Sequence, residues 1–198
     1  MATSSRSNPL ALAVLASLYE KPMHPYEIAQ VLRSRAKHES IRLNYGSLYS
    51  VVSALEKRGL IRARETVREG RRPERTIYEI TDDGAVELID WLSELVSTPV
   101  KEYLQFEAAL SLLAALPVDD ALALLRQRSV ALELERAQIG AVLSTASDAG
   151  LPRIFEIEDE YKQALLGAEL EFVRRLVKDI ESGELDGVEL WRSFHANP

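Results

Sequence analysis

Between Asn8 and Leu55 the apolar residues fall into three runs with three- and four-residue steps, divided by residues suited to helix ends. Asn8-Pro9 reads as an N-cap followed by proline at the first helical position, and Leu10, Leu12, Ala13, Leu15 and Leu18 continue as a helix that Lys21-Pro22 ends. His24-Pro25 repeats the arrangement, with Tyr26, Ile28, Ala29, Val31 and Leu32 marking a second helix that closes near Lys37. A third helix starts from Asn44. Its Leu48, Val51, Val52 and Leu55 stand at i, i+3, i+4 and i+7, and Gly59 occupies the place of a left-handed C-terminal cap. Three short helices so closely spaced predict a helix-turn-helix.

After Gly59 the period shortens to two. Leu60 to Thr66 and Arg75 to Ile80 alternate as strands, and Glu69-Gly70-Arg71-Arg72-Pro73 is the turn between them, a hairpin with a basic tip. Thr81 is a suitable cap for a fourth helix, whose stripe Ala85, Leu88, Ile89, Leu92, Leu95 and Val96 runs until Pro99. The domain boundary is expected in Ser97 to Lys101, giving one domain over 1–98 and another over 99–198.

The second part reads as helical over Glu102 to Leu116, Val118 to Ala146 and Arg153 to Ser182, with a last turn around Leu185 to Phe194. Ile154, Ile157, Tyr161, Leu165, Ala168, Phe172, Leu176 and Ile180 form a seam longer than a small domain needs for its own core. Its partner is either a second subunit or the 118–146 helix of the same chain. The fold class is thus mainly α with a small β-hairpin wing: an N-terminal winged helix-turn-helix domain and a C-terminal helical dimerisation domain.

Charge sharpens this division. Residues 1–80 carry 14 basic and 8 acidic side chains, whereas residues 81–198 carry 10 and 23, so a basic head is joined to an acidic body within a chain of net charge −7. The basic part suits a polyanion. Enzyme chemistry finds little support: cysteine is absent, and His24, His38 and His195 have no metal-ligand spacing. Neither phosphate-binding glycine motif occurs, and Glu156, Glu158, Asp159 and Glu160 lack the Glu-x-x-His pairing of a helical metal site and read as a solvated helix start. No apolar run reaches the roughly 18 residues of a membrane span. A cytoplasmic protein without cofactor, metal or catalytic residue is expected.

If the third helix reads double-stranded DNA, the face opposite its buried stripe enters the groove. At about 100° per residue, Gly46, Ser50, Ser53 and Lys57 point away from the core, and three of these four are small. Asn44, Tyr45, Ser47 and Tyr49 flank them near the helix start, where free N–H groups and hydroxyls reach phosphates or base edges. Arg71, Arg72 and Arg75, with Arg68 nearby, gather guanidinium groups at the wing. The alternative is a winged-helix protein-interaction module without specific DNA binding; the basic, small-residue face favours DNA over it.

These residues also carry a family resemblance. Residues 10–18 (LALAVLASL), His24-Pro25-Tyr26-Glu27-Ile28, Tyr45-Gly46-Ser47-Leu48-Tyr49 with Leu55-Glu56 and Gly59-Leu60-Ile61, and Arg75 through Tyr78-Glu79-Ile80-Thr81 with Gly84 resemble, in order and spacing, the PadR family of transcriptional regulators. The resemblance implies a winged helix over the first 80 or so residues, a C-terminal dimerisation region with several helices, and a dimer that represses a target operon; a symmetric homodimer in turn calls for an inverted-repeat operator. It makes Tyr26, Gly46, Ser47, Leu48 and Tyr49 the helix-turn-helix signature, with Leu48 structural. His24-Pro25 departs from the more usual His-Gly and removes one N–H from that helix start. The resemblance further implies a small aromatic effector, and Trp91, just beside the expected stripe of the fourth helix, is the first candidate for stacking on it. Tyr103, Phe106, Phe155, Tyr161, Phe172 and Trp191 are open to the same role or to plain core packing.

Overall fold

The computed structural model describes Arg6, residues 8–67 and residues 75–196, and divides into two units, Met1–Lys101 and Glu102–Pro198. The first unit begins with α1 (Pro9–Glu20), α2 (Pro25–Ser34) and α3 (Tyr45–Lys57). Strands β1 (Ile61–Val67) and β2 (Arg75–Ile80) follow as an antiparallel pair, and α4 (Asp82–Ser97) completes the unit.

Local chemistry sets the helix ends. Asn8 caps α1 by accepting the Leu10 N–H at 3.1 Å. At α2, His24 Nδ1 accepts the Tyr26 N–H at 3.1 Å, and Glu27 reaches back to the His24 N–H at 3.0 Å. Helix α2 stops at Ser34 rather than near Lys37. The Lys37 N–H bonds the Leu32 carbonyl and the Ala36 N–H bonds that of Arg33, a Schellman closure with Ala36 at φ 54°. The run Arg35 to Ser40 is polar apart from Ala36, which is exposed, so no large apolar side chain continues the buried stripe. Gly59 closes α3 in the same way at φ 74°, with Leu60 N–H bonded to the Leu55 carbonyl.

The core of this unit joins Leu15 and Leu18 of α1, Ile28 of α2, Leu48 and Leu55 of α3, and Leu88 and Trp91 of α4. Burying each such side chain contributes roughly 1.5–3 kcal/mol. Helix α4 corrects the expected stripe. It buries Gly84, Leu88 and Trp91, while Ile89, Leu92, Leu95 and Val96 are exposed. The cause is a close crossing at Gly84, where an added Cβ would lie 1.9 Å from the Leu60 carbonyl oxygen. Thr81 holds the crossing in place, donating to the Gly59 carbonyl at 2.7 Å and accepting the Gly84 N–H at 3.1 Å.

A part-buried ionic cluster joins the same elements. Arg6 pairs with Glu87 and with Glu94, each at 2.7 Å, and Arg58 at the end of α3 pairs with Glu87 at 3.0 Å. The Arg6 hydrogen bond, with help from Arg58, holds the Glu87 carboxyl below its ordinary range against the opposing effect of burial.

The second unit contains α5 (Gln105–Ser111), α6 (Val118–Asp148), α7 (Ile157–Ser182) and α8 (Val188–Ser193). Two expected helices are divided. Leu113–Ala115 forms a separate 3₁₀ turn after α5, and Arg153–Phe155 forms another before α7. Helices α6 and α7 pair antiparallel, with ion pairs Arg126–Glu181, Glu133–Arg174 and Glu135–Lys162 along their length. Between them lie Leu125 and Leu132 of α6 against Leu170, Val173 and Ile180 of α7. The expected seam is therefore not the one this hairpin uses: Ile154, Ile157, Tyr161, Leu165, Ala168 and Phe172 stay exposed, Leu176 is half-buried, and only Ile180 is buried. Both stripes obey the helical period, so periodicity could not choose between them. Trp191 anchors α8, donating its indole N–H to the Leu116 carbonyl at 2.8 Å. Among the described residues no helix is long and apolar enough to cross a membrane.

Gly84→Ala should cost about 1–3 kcal/mol of stability or more, because the obstructing atom is backbone; urea unfolding measures it. Glu87→Gln should lower the melting temperature at neutral pH. Since the folded-state pKa is depressed, the Glu87 contribution is present above the ordinary carboxylate pKa and lost as pH falls through the depressed value. The gap between variant and wild-type melting temperatures should accordingly close in acid.

Candidate nucleic-acid interface

Helix α3 is fixed from one side only. Leu48, Val51, Val52 and Leu55 are buried against the rest of the unit, and Asn44 caps the helix by accepting the Ser47 N–H at 2.7 Å. The remaining face is open. Gly46, Ser50, Ser53 and Lys57 are exposed, as are Asn44, Tyr45 and Tyr49, while Ser47 is half-buried. Ser50 donates its hydroxyl proton to the Gly46 carbonyl at 3.0 Å, so its oxygen faces outward as an acceptor. A Cβ added at Gly46 would meet only Asn44 Oδ1 at 3.7 Å, an ordinary contact, so nothing inside the protein demands glycine there.

Helix α2 brings a second set of side chains to the start of α3. The rings of Tyr26 and Tyr45 stack with centroids 6.1 Å apart and planes 10° from parallel. Arg33 places its guanidinium carbon 4.6 Å from the Tyr45 ring centroid and donates from Nη1 to Tyr45 Oη at 2.7 Å. Sequence reasoning missed Arg33. Its signal was available: it follows Tyr26 by seven residues, two turns along one helix face.

Several guanidinium groups of this unit are held in ion pairs. Arg35 pairs with Glu20, Arg58 with Glu87, and Arg62 and Arg64 with Glu79. Arg33, Arg42 and Lys57 are exposed and have no carboxylate partner among the described residues. Arg75 opens β2 opposite Val67; Arg71 and Arg72 lie outside the described residues. Tyr78 of β2 packs against the core, and burial, with Glu56 nearby, pushes its phenol pKa up.

Trp91 requires a correction. It is 1 % exposed and belongs to the core, because α4 turns that face inward at the Gly84 crossing, so it offers no surface for a stacked ligand. Phe106 lies beneath the Arg128 guanidinium at 3.7 Å. No group of three or more His, Asp or Glu side chains is placed to hold a metal among the described residues.

Residues 14–90 match the transcriptional regulator PadR-like family. The chain carries a PadR-like domain. Similar solved structures agree with this on the fold. Bacillus subtilis PadR in complex with operator DNA superimposes with a TM-score of 0.65 at 17% identity, covering 85% of this chain and 97% of that one. The Vibrio cholerae virulence activator AphA gives 0.64 at 14% identity, covering 87% and 98%. B. subtilis PadR in complex with p-coumaric acid gives 0.57 at 20% identity, covering 87% and 95%. A search of curated proteins finds no match. The PadR-like domain contains most of α1 and all of α2, α3 and the two strands, so the open face of α3 lies within it.

Proposed function

We propose that the protein is a sequence-specific DNA-binding transcriptional regulator whose α3 enters the major groove. The observation that carries this reading is the outward face of α3: glycine and two serines along one line of the helix, a lysine at its end, and Arg33 and Arg42 with no carboxylate partner among the described residues. Small side chains let a helix approach base edges closely, and unpaired cations favour the phosphates beside them. Tyr26, Asn44, Tyr45, Ser47 and Tyr49 serve phosphate and sugar, while Gly46, Ser50 and Ser53 face the bases. Lys57, with Arg71, Arg72 and Arg75 of the wing, follows the backbone.

The working form is a homodimer with domains over 1–98 and 99–198, in the cytoplasm, on an inverted-repeat operator whose half-sites lie about 34 Å apart. Support for the dimer comes from α7, whose Ile157, Tyr161, Leu165 and Phe172 form an apolar stripe that stays exposed on the α6–α7 hairpin. Repression follows from occupying a promoter. A small aromatic effector is proposed on the precedent of PadR bound to p-coumaric acid, at a site that does not include Trp91.

Fluorescence anisotropy on a duplex from upstream of the gene, against a shuffled duplex of equal composition, tests the reading. Preferential, salt-dependent binding to the native duplex is expected; a folded protein that binds neither at low salt would point to the protein-interaction alternative. Gly46→Ala should leave stability unchanged or raise it by about 0.4–1 kcal/mol while weakening native-duplex binding. Leu165→Glu should convert the dimer to monomer in light scattering.

A further inference from the structure

We propose that Arg33 is a phosphate-binding residue of this interface and the positioning residue for the Tyr45 hydroxyl, so that the two form one clamp on the DNA backbone. The inference rests on the DNA-binding reading and adds to it a residue outside the family signature.

The argument begins with hydrogen-bond capacity. A phenol carries one O–H donor and two acceptor lone pairs, and a guanidinium has five N–H donors and no acceptor. The Arg33 N–H at 2.7 Å therefore occupies a lone pair of Tyr45 Oη, and the hydroxyl proton must point elsewhere. Both side chains are exposed, with 38% of Tyr45 accessible. The outward-facing group is thus a donor pair, one O–H and the unused N–H groups, carrying a full positive charge. Such a pair suits an oxygen that only accepts and is anionic, which describes a phosphodiester.

Orientation is also set in advance. The 6.1 Å stack on Tyr26 and the guanidinium over the Tyr45 ring restrict rotation of the phenol, so its hydroxyl direction is fixed before DNA arrives. Tyr45 is the first residue of α3, in the turn whose backbone N–H groups have no intrahelical acceptor. Arg35, just past the end of α2, is bound to Glu20 and cannot substitute.

Because a phosphate contact is independent of sequence, a 20-bp duplex of mixed sequence is a sufficient probe. Full-length wild type, Arg33→Ala, Arg33→Lys, Tyr45→Phe and Arg33→Ala/Tyr45→Phe are titrated by anisotropy across a salt series, with thermal melts confirming folding. Tyr45→Phe should weaken binding about threefold to tenfold with an unchanged salt slope, since no charge is lost. Arg33→Ala should weaken it about tenfold or more and flatten the plot of log K against log salt by about 0.9. Arg33→Lys should restore that slope. The double variant should lose less than the product of the single losses, because removing Arg33 already frees the Tyr45 hydroxyl from its set direction. Wild-type binding with an Arg33→Ala slope unchanged, or with single losses that multiply, would overturn the clamp alone. Failure of folded wild type to bind any duplex at low salt would overturn the DNA reading along with it.

Discussion

A helix can offer a bare face to a ligand only when its opposite face is held, and the first unit is organised around that requirement at α3. Leu48, Val51, Val52 and Leu55 occupy the core, so the helix cannot rotate without exposing four apolar side chains. The face carrying Gly46, Ser50 and Ser53 then contributes almost nothing to folding. Its composition is free to answer to a partner outside the protein. The cap at Asn44 and the closure at Gly59 fix where the helix starts and stops, and with it which backbone N–H groups remain open.

The same unit ties its ends together through backbone proximity and charge. Gly84 lets α4 cross the Leu60 carbonyl, and Thr81 joins the two chain segments at that point. Glu87 then receives Arg58 from the end of α3 and Arg6 from the N-terminal segment. One carboxylate thus ties α4 to the end of α3 and to the N-terminal segment through two guanidinium groups. Burial of Trp91 reinforces the link, since its ring fills the core between these elements.

The second unit follows a different logic. Its α6–α7 hairpin is stitched by ion pairs on the outside and apolar contact within, and it still leaves an apolar stripe on α7 exposed. The circumference of an α-helix has room for two such stripes. One serves the chain itself, and the other is the surface on which a second copy is proposed to sit.

Much of this architecture was legible along the chain. The N-caps at Asn8, His24, Asn44 and Thr81, the left-handed Gly59, the strand ending at Ile80 and the buried set of α3 all follow from local rules, because capping, turn formation and helical period act over a few residues. The small-residue face of α3 was legible for the same reason. The inward turn of Trp91, the choice between two stripes on α7, the meeting of Arg33 with Tyr45 and the Arg6–Glu87–Arg58 cluster were decided by tertiary structure. Each depends on how far one element is rotated against another. A period of 3.6 says that a face exists, but the close approach at Gly84 or the packing of α6 on α7 determines which face is used.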